Sequence, residues 1–180
     1  MTASNVNATK LTNLIASPQT IGDKLKGKQI VAIDKIALET TSVDEIGDSF
    51  TFGILIPSNA IITSVKILND DLDAHATPTI AANVGLVYSG IGHNNSKVIG
   101  DAADVDVFAT AVTTLQAANV TPVELRFEAD DIVDIVKEAW DACGIASDPG
   151  GFFLLRVTLT AAAATAAAGD VVAIVEYLAN

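Results

Sequence analysis

Residues 47–88, GDSFTFGILIPSNAIITSVKILNDDLDAHATPTIAANVGLVY, constrain the fold more than any other part of the chain. Phe50, Phe52, Ile54 and Ile56 project to one side of an extended backbone, and Ser49, Thr51, Gly53 and Leu55 to the other. Pro57, Ser58 and Asn59 then interrupt the run, because proline has no N–H for a ladder and asparagine tolerates turn geometry. The pattern predicts a β-hairpin, with residues 60–68 returning antiparallel beside the first strand. An acidic turn at 69–75 and a further strand at 80–88 are expected to follow.

The flanking sequence extends this β body. Residues 29–38 read as a first strand whose two faces, Ile30/Ala32/Asp34/Ile36 and Val31/Ile33/Lys35/Ala37, are both partly apolar, so one face should meet a second layer. Residues 39–48 form a polar connection. Residues 123–128 read as another strand, and 152–160 and 171–178 as two more, joined by an Ala-rich link expected to be a flexible hairpin loop. Two helical insertions are expected. One spans about 101–118, where Val105, Phe108, Ala111, Val112 and Leu115 repeat at helical spacing; Asp101 and Asp104 suit its start, and Asn119 and Pro122 its end. The other spans about 130–143, with Ile132, Ile135, Val136, Ala139 and Cys143 on its buried stripe and Gly144 as its stop. The fold class is therefore mainly β, a jelly-roll-like β-sandwich with two short helical insertions and an extended N-terminal arm. Residues 1–28 form the arm and 29–180 a single domain. No period of 20 to 50 residues recurs.

Charge separates these two parts. Residues 1–38 hold five lysines against two aspartates, a balance of +3, while residues 39–180 hold five basic and twenty acidic side chains, a balance of −15. So acidic a body repels a phosphate backbone, which argues against nucleic acid as the partner. The arm is different. Lys10, Lys24, Lys26 and Lys28 can meet an acidic surface of a neighbouring subunit, or stand as solvated charges ahead of the first strand. Leu11, Leu14 and Ile15, spaced by three and four, share one side of a short helical turn that can grip a partner; otherwise they belong to a frayed terminus. No apolar run reaches the roughly 18 residues of a membrane span, and the first residues lack the basic and apolar regions of a secretory signal, so a soluble protein is expected.

The ingredients of chemistry are scarce. His75 and His93 stand at no metal-ligand spacing, and the lone Cys143 excludes an intrachain disulfide. The 69–75 turn clusters oxygen donors but lacks the sixth-position glycine and twelfth-position glutamate of a calcium loop, so a turn stabilised by Asx-type hydrogen bonds is expected. Gly90, Ile91 and Gly92 lack the third glycine of a phosphate-binding fingerprint. Asp130, Asp131 and Asp134 suit the start of the second expected helix, and a chain with two tyrosines and one tryptophan has little aromatic surface for stacking a sugar. Cys143, at a helix end, reads as core. No enzyme activity and no cofactor are expected.

Several of these residues also carry a resemblance. Gly47-Asp48-x-Phe50, Pro57-x-Asn59-Ala60-x-Ile62, Asp70-Asp71-Leu72-Asp73 and Val84-Gly85-Leu86-Val87-Tyr88 resemble the decoration or cement proteins of tailed-bacteriophage heads. The likeness spans about residues 45–90 and extends more loosely to 152–160 and 169–177, which look like that group's closing strand pair. It implies a virion protein on the capsid surface, made in the bacterial host cytoplasm, that stabilises the shell by bridging major capsid subunits and self-associates as a homotrimer. The interaction residues expected on this reading are Lys10, Leu11, Leu14, Ile15, Lys24, Lys26, Lys28, Asp70, Asp71 and Asp73. A head-to-tail adaptor, a tail-fibre component and a carbohydrate-binding module are the alternative roles.

Overall fold

The computed structural model describes residues 5–7, 27–93, 100–126 and 134–179. Among the described residues ten strands form two sheets: β1 (Asn5–Asn7), β2 (Lys28–Leu38), β3 (Ser49–Thr51), β4 (Ile56–Pro57), β5 (Ile61–Asn69), β6 (Ala81–Tyr88), β7 (Ala102–Val112), β8 (Asn119–Glu124), β9 (Phe152–Ala161) and β10 (Gly169–Ala179). The first sheet has the order β1-β3-β9-β6-β7, with β4 also on β9, and the second β2-β10-β5-β8. All pairings are antiparallel except β1 on β3. The result is the expected mainly β, jelly-roll-like sandwich.

Alternation places the core. In β10, Val171, Ala173, Val175 and Tyr177 point inward, and across the interior Phe50, Phe52, Ile54 and Ile56 are all buried. At about 1.5–3 kcal/mol for each fully buried aliphatic or aromatic side chain, this facing arrangement is what closes the sandwich. Arg126 is buried beside it, stacked 5.4 Å from the Phe108 ring centroid, with Nε donating to the Ile62 carbonyl at 3.0 Å.

That same burial overturns the expected hairpin. Residues 57–60 do turn, with the Ala60 N–H donating to the Pro57 carbonyl. However, β3 and β4 pair β9 in one sheet while β5 pairs β10 and β8 in the other. Both flanking segments carry apolar faces that need the same core, so they oppose each other across it instead of lying side by side. The closing pair departs in the same way: β9 is central in the first sheet and β10 in the second, and residues 162–168 cross between the layers.

The first helical insertion is strand β7, followed by a single 3-10 turn at Thr114–Gln116. Its pairing with β6 is broken by three register shifts, Val107, Phe108 and Ala109 are buried in succession, and Ala111 takes a positive φ of 51°. Bulges of this kind add residues to one strand, and the resulting apolar spacing imitates a helix. Of the second insertion, residues 130–133, with Asp130, Asp131 and Ile132, lie outside the described residues. From 134 onward only a one-turn helix, α1 (Ala139–Ala142), forms. Ala139 and Trp140 donate backbone N–H groups to the carbonyls of Ala60 and Ser58, which holds this backbone against the 57–60 turn and leaves Val136 exposed. Gly144 follows at φ 66°, as a stop requires. The strand expected at 123–128 lies at Asn119–Glu124, with Pro122 tolerated because β8 is an outer strand; residues 127–128 lie outside the described set.

Candidate interaction surface

Strand β2 begins at Lys28 opposite Ala179 and ends at Leu38 opposite Gly169. On β5, Asn69 sits opposite Val171. The basic entry to β2 and the acidic turn after β5 therefore lie at opposite ends of the second sheet, about 30 Å apart at 3.3 Å per strand residue. Of the residues expected to bind partners, Lys28 is exposed at one end, and Asp70 and Asp71 are exposed at the other. Lys10, Leu11, Leu14, Ile15, Lys24 and Lys26 lie outside the described residues.

Asp73 departs from the expectation of an exposed turn. It is 1% exposed, with Oδ2 accepting backbone N–H bonds from Thr79 at 2.7 Å, Ile80 at 3.1 Å and Ala164 at 2.9 Å, while Oδ1 accepts from Thr165 at 2.9 Å. Burial alone would raise its pKa, but these four donors outweigh that and hold the carboxyl well below the usual carboxylate range. One side chain thereby clamps the 79–80 backbone to the Ala-rich link, so that link is an anchored crossing and not a flexible loop. The Asx-type turn is present as expected, with Asp71 Oδ1 accepting from the Asp73 N–H at 3.1 Å.

The outer face of the second sheet presents three zones in register. At the β2 entry, Val31 (57% exposed), Ile33 (54%) and Leu178 (37%) form an apolar strip, with Ile174 opposite Ile33. On the central strands β10 and β5, level with Val31 and Ile33, Lys66 Nζ meets Glu176 Oε1 at 2.9 Å, which lowers the Glu176 pKa and raises that of Lys66. Ser64 Oγ donates to Glu124 Oε2 there at 2.5 Å. At the far end a groove of about 300 Å³ opens between β5, β8 and β10, lined by Leu68, Val120 and Val172 with Asp70 and Asp170. The strip was foreshadowed by the two partly apolar faces of β2. The ion-paired centre had no sequence signal, because Lys66, Glu124 and Glu176 are brought together only by strand pairing.

Elsewhere the chemistry is structural. Cys143 is buried beside α1, and burial pushes its thiol up to about 12, which removes its nucleophilicity near neutral pH. Arg156 Nε donates to Thr51 Oγ1 at 2.8 Å and Nη1 to the Gly100 carbonyl at 3.1 Å. No cluster of three or more His, Cys, Asp or Glu side chains that could hold a metal occurs among the described residues.

The fold thus defines a class: a two-sheet β-sandwich of jelly-roll type that offers an exposed sheet face. No family model matches the chain, and no curated protein matches it in sequence. Solved structures do share its fold. A chain in the capsid of Ralstonia phage GP4 aligns over 98% of this chain and 99% of its own length, with TM-score 0.66 and 21% identity. A chain in the capsid asymmetric unit of cyanophage Pam1 aligns over 92% and 96%, with TM-score 0.55 and 21% identity. At these identities the likeness is one of fold.

Proposed function

We propose that the chain is a non-enzymatic structural virion protein that binds the outside of a phage capsid and stabilises the shell by bridging major capsid subunits. The observation that carries this reading is the end-to-end likeness in fold to a chain of the GP4 phage capsid, to which the resemblance in residues 45–90 adds an independent pointer. In mechanism, the apolar strip of Val31, Ile33 and Leu178 meets the shell, and copies associate with one another, as a trimer on the decoration-protein resemblance. Each contact is weak. Repetition over a lattice turns such contacts into avidity without any single strong site.

The test is to assemble particles with and without the protein and heat both. Shells lacking it should close but release their genome at a lower temperature. Equal thermal stability would sink the reading, and failure of any shell to form without it would make it a shell subunit instead.

A further inference from the structure

We infer that the groove at the far end of the outer sheet face receives the segment bearing Lys24, Lys26 and Lys28 from a second copy of this chain. The inference rests on the proposed self-association and identifies its contact.

The groove suits a lysine side chain. Its walls, Leu68, Val120 and Val172, are aliphatic, and Val120 is 90% exposed, so a four-carbon stem can cover surface that water now touches. Its mouth carries two carboxylates held in place. Asp70 Oδ2 accepts from the Asp170 N–H at 2.8 Å, and Asp170 Oδ2 pairs with Lys35 Nζ at 2.7 Å. Lys35 supplies one positive charge against two negative ones, so an incoming ammonium meets a net negative site with its stem already accommodated.

Reach decides that the lysines come from another copy. The Gly27 N–H bonds to the Ala179 carbonyl, which anchors this point of the chain at the opposite end of the sheet. Lys28 lies opposite Ala179, whereas Val172 lies opposite Lys35 and Asp170 opposite Ala37. Along β2 this is about 23–30 Å, and crossing to β5 adds more. From Lys28, a fully extended backbone carries Lys24 only about 14 Å, and its side chain adds about 6 Å. The chain's own Lys24, Lys26 and Lys28 therefore fall short, while those of a neighbour placed head to tail do not. Charge agrees: residues 1–38 carry +3 and the rest −15, so the contact is attractive in trans.

Cross-linking of the free protein tests this. Lys26→Cys and Asp70→Cys variants, purified separately, mixed and oxidised, should give a disulfide-linked species of twice the monomer mass on a non-reducing gel; buried Cys143 stays silent because its thiol is pushed up to about 12. A chain carrying both cysteines should form cross-linked multimers. Asp70→Lys should weaken self-association about tenfold, and mixing it with a Lys24/Lys26/Lys28→Glu variant should restore it. Absence of a cross-link in the mixture, or closure of the double variant within one monomer, overturns the inference. Because no particle is present, such a failure is separable from failure of shell stabilisation.

Discussion

In the first sheet, burial runs through consecutive residues, as in Phe153-Leu154-Leu155 of β9 and Leu86-Val87-Tyr88 of β6. In the second, β2 and β10 alternate strictly between inward and exposed or half-exposed positions. The outer side of the first sheet is crowded where β6 and β9 bury consecutive residues: β7, paired beside β6, comes so close to Gly85 that a β-carbon there would collide with the backbone of Asp104 and Val105, and the Phe152 N–H bonds to the Ile91 carbonyl. The second sheet keeps one face open. The difference separates two jobs that a sandwich performs, one layer holding the fold together and the other presenting a surface. Substitutions should accordingly divide into those that unfold the protein and those that leave it folded but disarmed.

The largest effect is expected at the clamp between layers. Asp73→Ala strands four backbone donors, one of them fully buried, and should cost about 4 kcal/mol, read as a drop in the denaturant midpoint. Asp73→Asn separates charge from shape. Because the folded Asp73 pKa lies below its unfolded value of about 3.9, its stabilisation is fully present above that value and fades as pH falls through the folded pKa. The stability gap between wild type and Asp73→Asn should thus be constant from neutral pH down to about pH 5 and narrow below pH 4; a gap that widens in acid would contradict the clamp.

Next comes Gly85→Ala. The obstructing atoms are backbone, so overpacking should cost about 2 kcal/mol, and a calorimetric midpoint equal to wild type would show that β7 can lift away. The smallest effect on folding belongs to the open face. Val31→Asp should change stability by less than about 0.5 kcal/mol while abolishing attachment to shells, measured by co-sedimentation.

How far these regions could be read in advance follows from the same contrast. Strands β2 and β10 were legible because each presents a nearly regular alternation to one core, and β6 and β9 because each is a short apolar run. The partner of each strand was not: an apolar face states that it needs a core and is silent on whether its neighbour in sequence lies beside it or opposite it, so the segments at 49–57 and 61–69 were expected to pair and instead face each other. Strand β7 was misread because its bulges at Val107–Ala109 displace the period of two toward that of a helix. At the surface, the exposure of Asp70 and Asp71 was foreseeable from a polar turn. Asp73 two residues later was not, since its donors at 164–165 arrive from about ninety residues away.

Shell binding, as proposed, depends most directly on the open face of the second sheet. Shells prepared without the protein should be supplied in parallel with wild type and with Val31→Asp of matched melting temperature, and the temperature of genome release measured for each. Wild type should restore the higher release temperature and Val31→Asp should leave it low. Equal restoration by both would contradict the assignment of this face to shell binding, and restoration by neither would contradict the stabilising role itself.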